Sequence, residues 1–90
     1  MRFEWDEEKN RENLRKHDVR FETAQLVFDD PYAVSLPDIQ HYEQEERFIT
    51  LGAIAPGSVL FVVHTWFERS GEEVTRIISA SCICARKENL

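Results

Sequence analysis

The sequence predicts a small α+β domain: two N-terminal helices on one face of a mainly antiparallel sheet, closed by a short C-terminal helix. Three observations predict it. Ninety residues fall below the usual ~100–150 of a domain, so one domain spans 1–90. A composition of 42% hydrophobic and 31% charged residues is that of a soluble globule, not a disordered tail. Helix-period patterning in the first third gives way to strand-like runs in the second half.

The elements follow in order. Arg2 to Trp5 reads as a short strand, with Phe3 and Trp5 on one face and Trp5 destined for the core. Asp6 is a good N-cap; Glu7 and Glu8 follow it, and Arg15, Lys16 and His17 stand at the far end. That charge order suits the macrodipole of a helix over 7–17. Its one large aliphatic residue is Leu14, so it is largely solvated. Phe21, Ala24, Val27 and Phe28 mark a second amphipathic helix, ended by Asp29-Asp30-Pro31. Tyr32 to Leu36 is a strand, and the polar stretch 37–45 a mobile connection. Phe48 to Ile54 leads into Pro56-Gly57, which fits a type II turn. Val59 to Phe67 is nearly all apolar, as in a central strand covered on both faces. Arg69-Ser70-Gly71 connects it to a strand over Val74 to Ala80. Ser81 is placed to cap a terminal helix over 82–88.

Several function classes are disfavoured at once. No apolar run approaches the ~20 residues that span a bilayer, and the acidic N-terminus is unlike a signal peptide, so the cytoplasm is the expected location. Cys82 and Cys84 are too few for a zinc site and too close to staple a fold. The net charge of −6 argues, taken whole, against nucleic acid. Its distribution qualifies that: the chain to Glu46 carries thirteen acidic residues against six basic ones, and the remainder four against five. The acidity therefore belongs to the first half, and the strands of the second are free to carry a basic site.

Register is the step from strands to a site. With the Pro56-Gly57 turn central, Arg47 faces Trp66 and Ile49 faces His64. With a three-residue turn centred on Ser70, His64 faces Arg76. Cross-strand neighbours share a face, so Arg47, His64, Trp66 and Arg76 are expected on one patch. Arginine forks grip phosphate oxygens, imidazole moves protons near neutrality, and an indole stacks on a base. Each residue also has a structural reading. Arg47 can pair with Glu45 or Glu46, His64 can be a core histidine, and Arg76 can join a cross-strand ion pair. A one-residue change in the second loop would turn Arg76 to the other face.

Taken together, FEWDEEKNRENLRKHDVRFETAQLVFDDP at 3–31, EERF at 45–48, FVVHT at 61–65 and RIISA at 76–80 resemble the BrnT-type toxin family, the ribonuclease half of a type II toxin–antitoxin pair. The resemblance implies a RelE-like fold, cleavage of RNA with neither metal nor cofactor, and neutralisation by a BrnA-type antitoxin. It implies that DNA is reached only through that antitoxin, with the toxin assembled as a homodimer or as a heterotetramer with its partner. The family blocks fall on Glu46, Arg47, His64 and Arg76. The implied roles are phosphate clamps for Arg47 and Arg76 and a proton carrier for His64. Trp66 and Glu46 would contact substrate, Glu46 being also the alternative base. Lys9, Asn13, Lys16 and His17 match the N-terminal block and read as structural or antitoxin-facing. The chain departs from the family pattern at Asp18 and Arg20, where Gly and Ser are usual, and at Ser81, where an Arg and a basic tail are usual. The last departure raises the alternative of a catalytically impaired binding module that acts through its antitoxin and operon autoregulation.

Overall fold

The structure is a computed structural model that describes residues 2–39 and 46–83. Strands β1 (Arg2–Glu4), β2 (Val34–Pro37), β3 (Arg47–Ala55), β4 (Ser58–Arg69) and β5 (Glu72–Cys82) form one sheet in the order β1-β5-β4-β3-β2. Among the described residues, β1 pairs in parallel with β5 and the other pairings are antiparallel. Helix α1 (Glu7–His17) lies against β5, followed by α2 (Phe21–Ala24) and a 3-10 helix (Gln25–Asp29) that meets β3. The α+β class and the helix-on-one-face arrangement are those the sequence predicts.

Local chemistry explains the helical layer. The Asp6 side chain accepts from Glu8 N–H at 2.8 Å, the expected N-cap. Asp18 ends α1 in the left-handed region, at φ 59°, where its N–H donates to the Leu14 carbonyl. The second helix is α-helical for only one turn, Phe21–Ala24, and continues as a 3-10 helix over Gln25–Asp29; the spacing of three buries Phe21, Ala24 and Val27 completely. They join Val19, Leu60, Val62, Ile77 and Ala80 in the core, with Phe3, Trp5 and Phe28 packed partly buried against it. Two asparagines of α1 are also buried. Asn13 donates to the carbonyls of Val19 and Ala80 and accepts from Ala80 N–H, while Asn10 donates to Glu7 and Glu22 and accepts from Phe21 N–H. These bonds fasten a nearly solvated helix to β5 and α2.

Several boundaries differ from the sequence reading. The second strand starts at Val34 rather than Tyr32, because the Asp30 carboxylate accepts from the N–H groups of Tyr32 and Ala53 and holds a turn there. The β4–β5 hairpin runs out to Arg69 and Glu72. Ser81 caps no helix: it and Cys82 continue β5, paired with Phe61 and Leu60, and residues 84–88 of the expected helix lie outside the described residues. Most of the connection expected over 37–45 lies outside them too, whereas Pro37 itself belongs to edge strand β2.

Register is the larger correction. Gly57 takes φ 81°, as the type II turn requires, and Ala55 pairs with Ser58. The ladder then shifts between Ala55 and Ala53, leaving Ile54 as the extra residue of a bulge, so Arg47 faces Thr65 and not Trp66. At the second hairpin, Ser70 and Gly71 both have positive φ (54° and 80°), the signature of a two-residue type I′ turn. Arg69 therefore pairs with Glu72, and Arg76 faces Thr65 and not His64. Both displacements are by one residue. Relative to β4 they move the two arginines together, and they part both from His64 and Trp66.

Candidate nucleic-acid interface

Side chains alternate across a strand, so the pairing register sorts the sheet into two faces. The face on which no helix lies among the described residues, here the helix-free face, carries a cross-strand row of Glu4, Arg76, Thr65 and Arg47, on β1, β5, β4 and β3. Arg76 Nη1 donates to Glu4 Oε2 at 3.1 Å, and Arg69 places Nη1 and Nη2 at 3.3 and 3.4 Å from the two Glu4 oxygens. The Arg69 guanidinium also stands over the Phe67 ring, 5.1 Å from its centroid. Bonds from Arg69, opposed by some burial and reinforced by Arg76, hold the Glu4 carboxyl below its ordinary pKa, so it is an anion at neutral pH. Farther along this face, Val34, Leu36, Val59 and Ile83 are exposed, and Ile49, Leu51, Phe61 and Val63 half-buried.

The helix-covered face carries His64. Its ring stacks on Phe48 with centroids 6.0 Å apart and meets Phe28 edge-on at 5.0 Å. Its Nε2 is 2.7 Å from Thr50 Oγ1, which is 2.7 Å from Ser35 Oγ, while buried Nδ1 has no hydrogen-bond partner among the described residues. Burial lowers the His64 pKa, against a smaller opposing contribution from the backbone of Thr65, so the ring is neutral at pH 7. Phe28, Ser35, Phe48, His64, Trp66 and Thr75 line a depression of about 260 Å³, with Trp66 44% exposed at its rim. Glu46 is exposed just before β3, and strand alternation sends it to the face opposite Arg47.

The structure thus brings together Arg47 with Arg76, and His64 with Trp66, but not the two pairs with each other. Among the described residues, no three His, Cys, Asp or Glu side chains are grouped to hold a metal ion, and no helix is long and apolar enough to cross a membrane.

Residues 5–87 match the family model described as the ribonuclease toxin BrnT of type II toxin–antitoxin systems. The chain belongs to this family. The crystal structure of the Brucella abortus ribonuclease toxin BrnT has the same fold: it is 20% identical, with a TM-score of 0.67 over 91% of this chain and 95% of that one. No protein of curated function matches the sequence.

Membership of the BrnT family makes an antitoxin the expected partner class. The blocks that carried the resemblance take separate places in the fold. Arg47 and Arg76 lie on the helix-free face, His64 beneath the helices, and Asn13 in the joint between α1 and β5. Lys16 pairs with Glu12 at 3.4 Å on the solvated side of α1. Sequence reasoning missed Glu4 and Arg69. Reading Ser70-Gly71 as a two-residue turn would have put Arg69 on the arginine face. Nothing local in the sequence announces that β1 runs parallel to β5 and sets Glu4 beside Arg76.

Proposed function

We propose that this BrnT-family chain is a toxin that cleaves RNA without a metal ion, on the helix-free face of its sheet. The observation that carries the proposal is the shared row of Arg47 and Arg76, one on each side of Thr65. Two guanidinium groups on β3 and β5, the strands that flank β4, stand about 10 Å apart at the backbone and reach by their long side chains toward the non-bridging oxygens of one phosphodiester. In the reaction, a ribose 2′-OH attacks its own 3′-phosphate, the P–O5′ bond breaks, and a 2′,3′-cyclic phosphate and a 5′-OH result. The hydroxyl proton passes to solvent, and solvent returns one to the leaving 5′-oxygen. Negative charge builds on the phosphorane oxygens, and Arg47 and Arg76 stabilise it there. His64, neutral and bonded to Thr50 on the opposite face, supports the β3–β4 pair and carries no proton in this scheme. Trp66 and Glu46 lie off the path of that phosphate and contact RNA only where it turns round the end of the sheet.

A BrnA-type antitoxin would neutralise the toxin and supply any contact with DNA. The test is cleavage of cellular RNA by purified protein, with and without the co-expressed product of a neighbouring reading frame. The reading requires cleavage that the partner suppresses and that Arg47→Ala and Arg76→Ala each abolish or greatly reduce. Unchanged cleavage in both variants overturns the site.

A second reading, the impaired binding module, is favoured by Ser81. It lies on the same face, opposite Phe61 and about 13 Å along β5 from Arg76, where the family pattern has a cation. If Ser81→Arg creates or raises cleavage in a protein that otherwise only binds its antitoxin, this second reading replaces the first.

A further inference from the structure

One arm of the proposed clamp, Arg76, is already engaged by a carboxylate of the chain itself. Glu4 accepts from both Arg69 and Arg76. A carboxylate held by one guanidinium fork and a second guanidinium is in the situation of a phosphodiester held by the same two groups, since both anions offer paired oxygens to planar donors. We infer that Glu4 is a resident stand-in for an RNA phosphate, and that Arg69 and Arg76 form an anion site which the substrate enters by displacing it. The inference rests on the reading of this face as the RNA surface, and it adds Arg69 to that surface.

The geometry makes the exchange cheap. The side chains of Arg69 and Arg76 are 54% and 44% exposed, so a phosphate can approach both, while that of Glu4 is 23% exposed. The contacts to Glu4, at 3.1 to 3.4 Å, are long for charge-assisted bonds, and both guanidinium groups are open to solvent, which weakens the pair. Arg76 gives Glu4 a bond from Nη1 alone, so its remaining N–H groups lie outside that contact. Glu4 stands on edge strand β1, beyond which the sheet has no further strand among the described residues, so its side chain can swing out without disturbing the ladder. Occupancy by Glu4 would lower the toxin's affinity for RNA in general and leave Arg47 as the cation of the row outside the Glu4 cluster.

Fluorescence anisotropy with a labelled ten-nucleotide 2′-O-methyl RNA, which binds but offers no 2′-OH for cleavage, tests this directly. Glu4→Gln keeps the size and shape of the side chain and removes its charge; it should bind the probe about three- to tenfold more tightly than the parent at low salt. The slope of log K against log salt should steepen by roughly 0.7, the value for one more phosphate contact on a single strand. Arg69→Ala should weaken binding, and Glu4→Gln should give little or no gain in the Arg69→Ala background. Equal or weaker binding by both Glu4→Gln and Glu4→Ala, with thermal melting showing each folded, overturns the inference. So does a full gain that persists without Arg69. Failure of the underlying reading looks different: Arg47→Ala and Arg76→Ala then leave probe binding unchanged.

Discussion

The two faces of this sheet are built from the same five strands, yet they do opposite things with polar residues. On the helix-covered face His64 and Asn13 serve the packing. His64 is enclosed by Phe28 and Phe48 and tied to Thr50, and Asn13 satisfies the backbone where α1 crosses β5. On the helix-free face Arg69 and Arg76 stay at the surface and satisfy the half-buried carboxylate of Glu4 from the solvent side. Desolvation explains the difference. Under the helices an imidazole gives up its charge, whereas in water a guanidinium keeps its charge and can change partners. A histidine and two arginines that look alike as candidates in the sequence are therefore different kinds of residue in the fold.

The comparison can be broken by experiment, and the largest effect should come from the open face. Arg47→Ala or Arg76→Ala should lower RNA cleavage about 10²–10³-fold while changing thermal stability little. If stability collapses instead, these arginines are structural and the contrast fails. The covered face should respond in the reverse sense. Asn13→Ala removes three hydrogen bonds from buried backbone groups and should cost about 3 kcal/mol in urea unfolding, with cleavage per folded molecule unchanged. His64→Gln should cost roughly 1–3 kcal/mol, again without affecting cleavage by the folded fraction. A folded His64→Gln protein that has lost cleavage would return the histidine to the catalytic site.

A pH series sharpens the same point. The His64 pKa is lowered in the folded state, so between its folded and unfolded values the unfolded chain binds the extra proton. The stability this contributes is present in full above the unfolded pKa of about 6.5 and is lost as pH falls through the folded pKa. Chemical unfolding between pH 7.5 and 5 should show a decline that is shallower in His64→Gln. An equal decline in both proteins would mean that the ring is not held neutral. The smallest effect belongs to the end of α1. Asp18→Gly relieves a side chain from the left-handed region and should raise stability by about 1 kcal/mol, seen as a higher Tm.

Much of this was legible in the chain. Asp6 and the charge order of 7–17 located α1, and Pro56-Gly57 located the first hairpin, because caps and turns are decided by a few neighbouring residues. The threefold spacing of Phe21, Ala24 and Val27 marks a buried helical face, but it fits an α-turn and a 3-10 turn alike, and the structure divides the segment between the two. The quoted blocks carried the family. The grouping of the site was not legible. A bulge at Ile54 and a two-residue turn at Ser70-Gly71 each displace a ladder by one position, and a strand's side-chain period of two turns that small displacement into a change of face. Nothing near Ile54 in the sequence marks the bulge.

By itself, then, the sequence determined the kinds of element, their order and the family, through local propensity, capping and the spacing of its motifs. The tertiary structure alone decided which residues stand together: Arg47 with Arg76 and, through the parallel pairing of β1, with Glu4, while His64 and Trp66 went to the other side. The physical reason is that partnership across a sheet depends on register summed over two turns and a bulge, and one residue of difference is enough to reverse it.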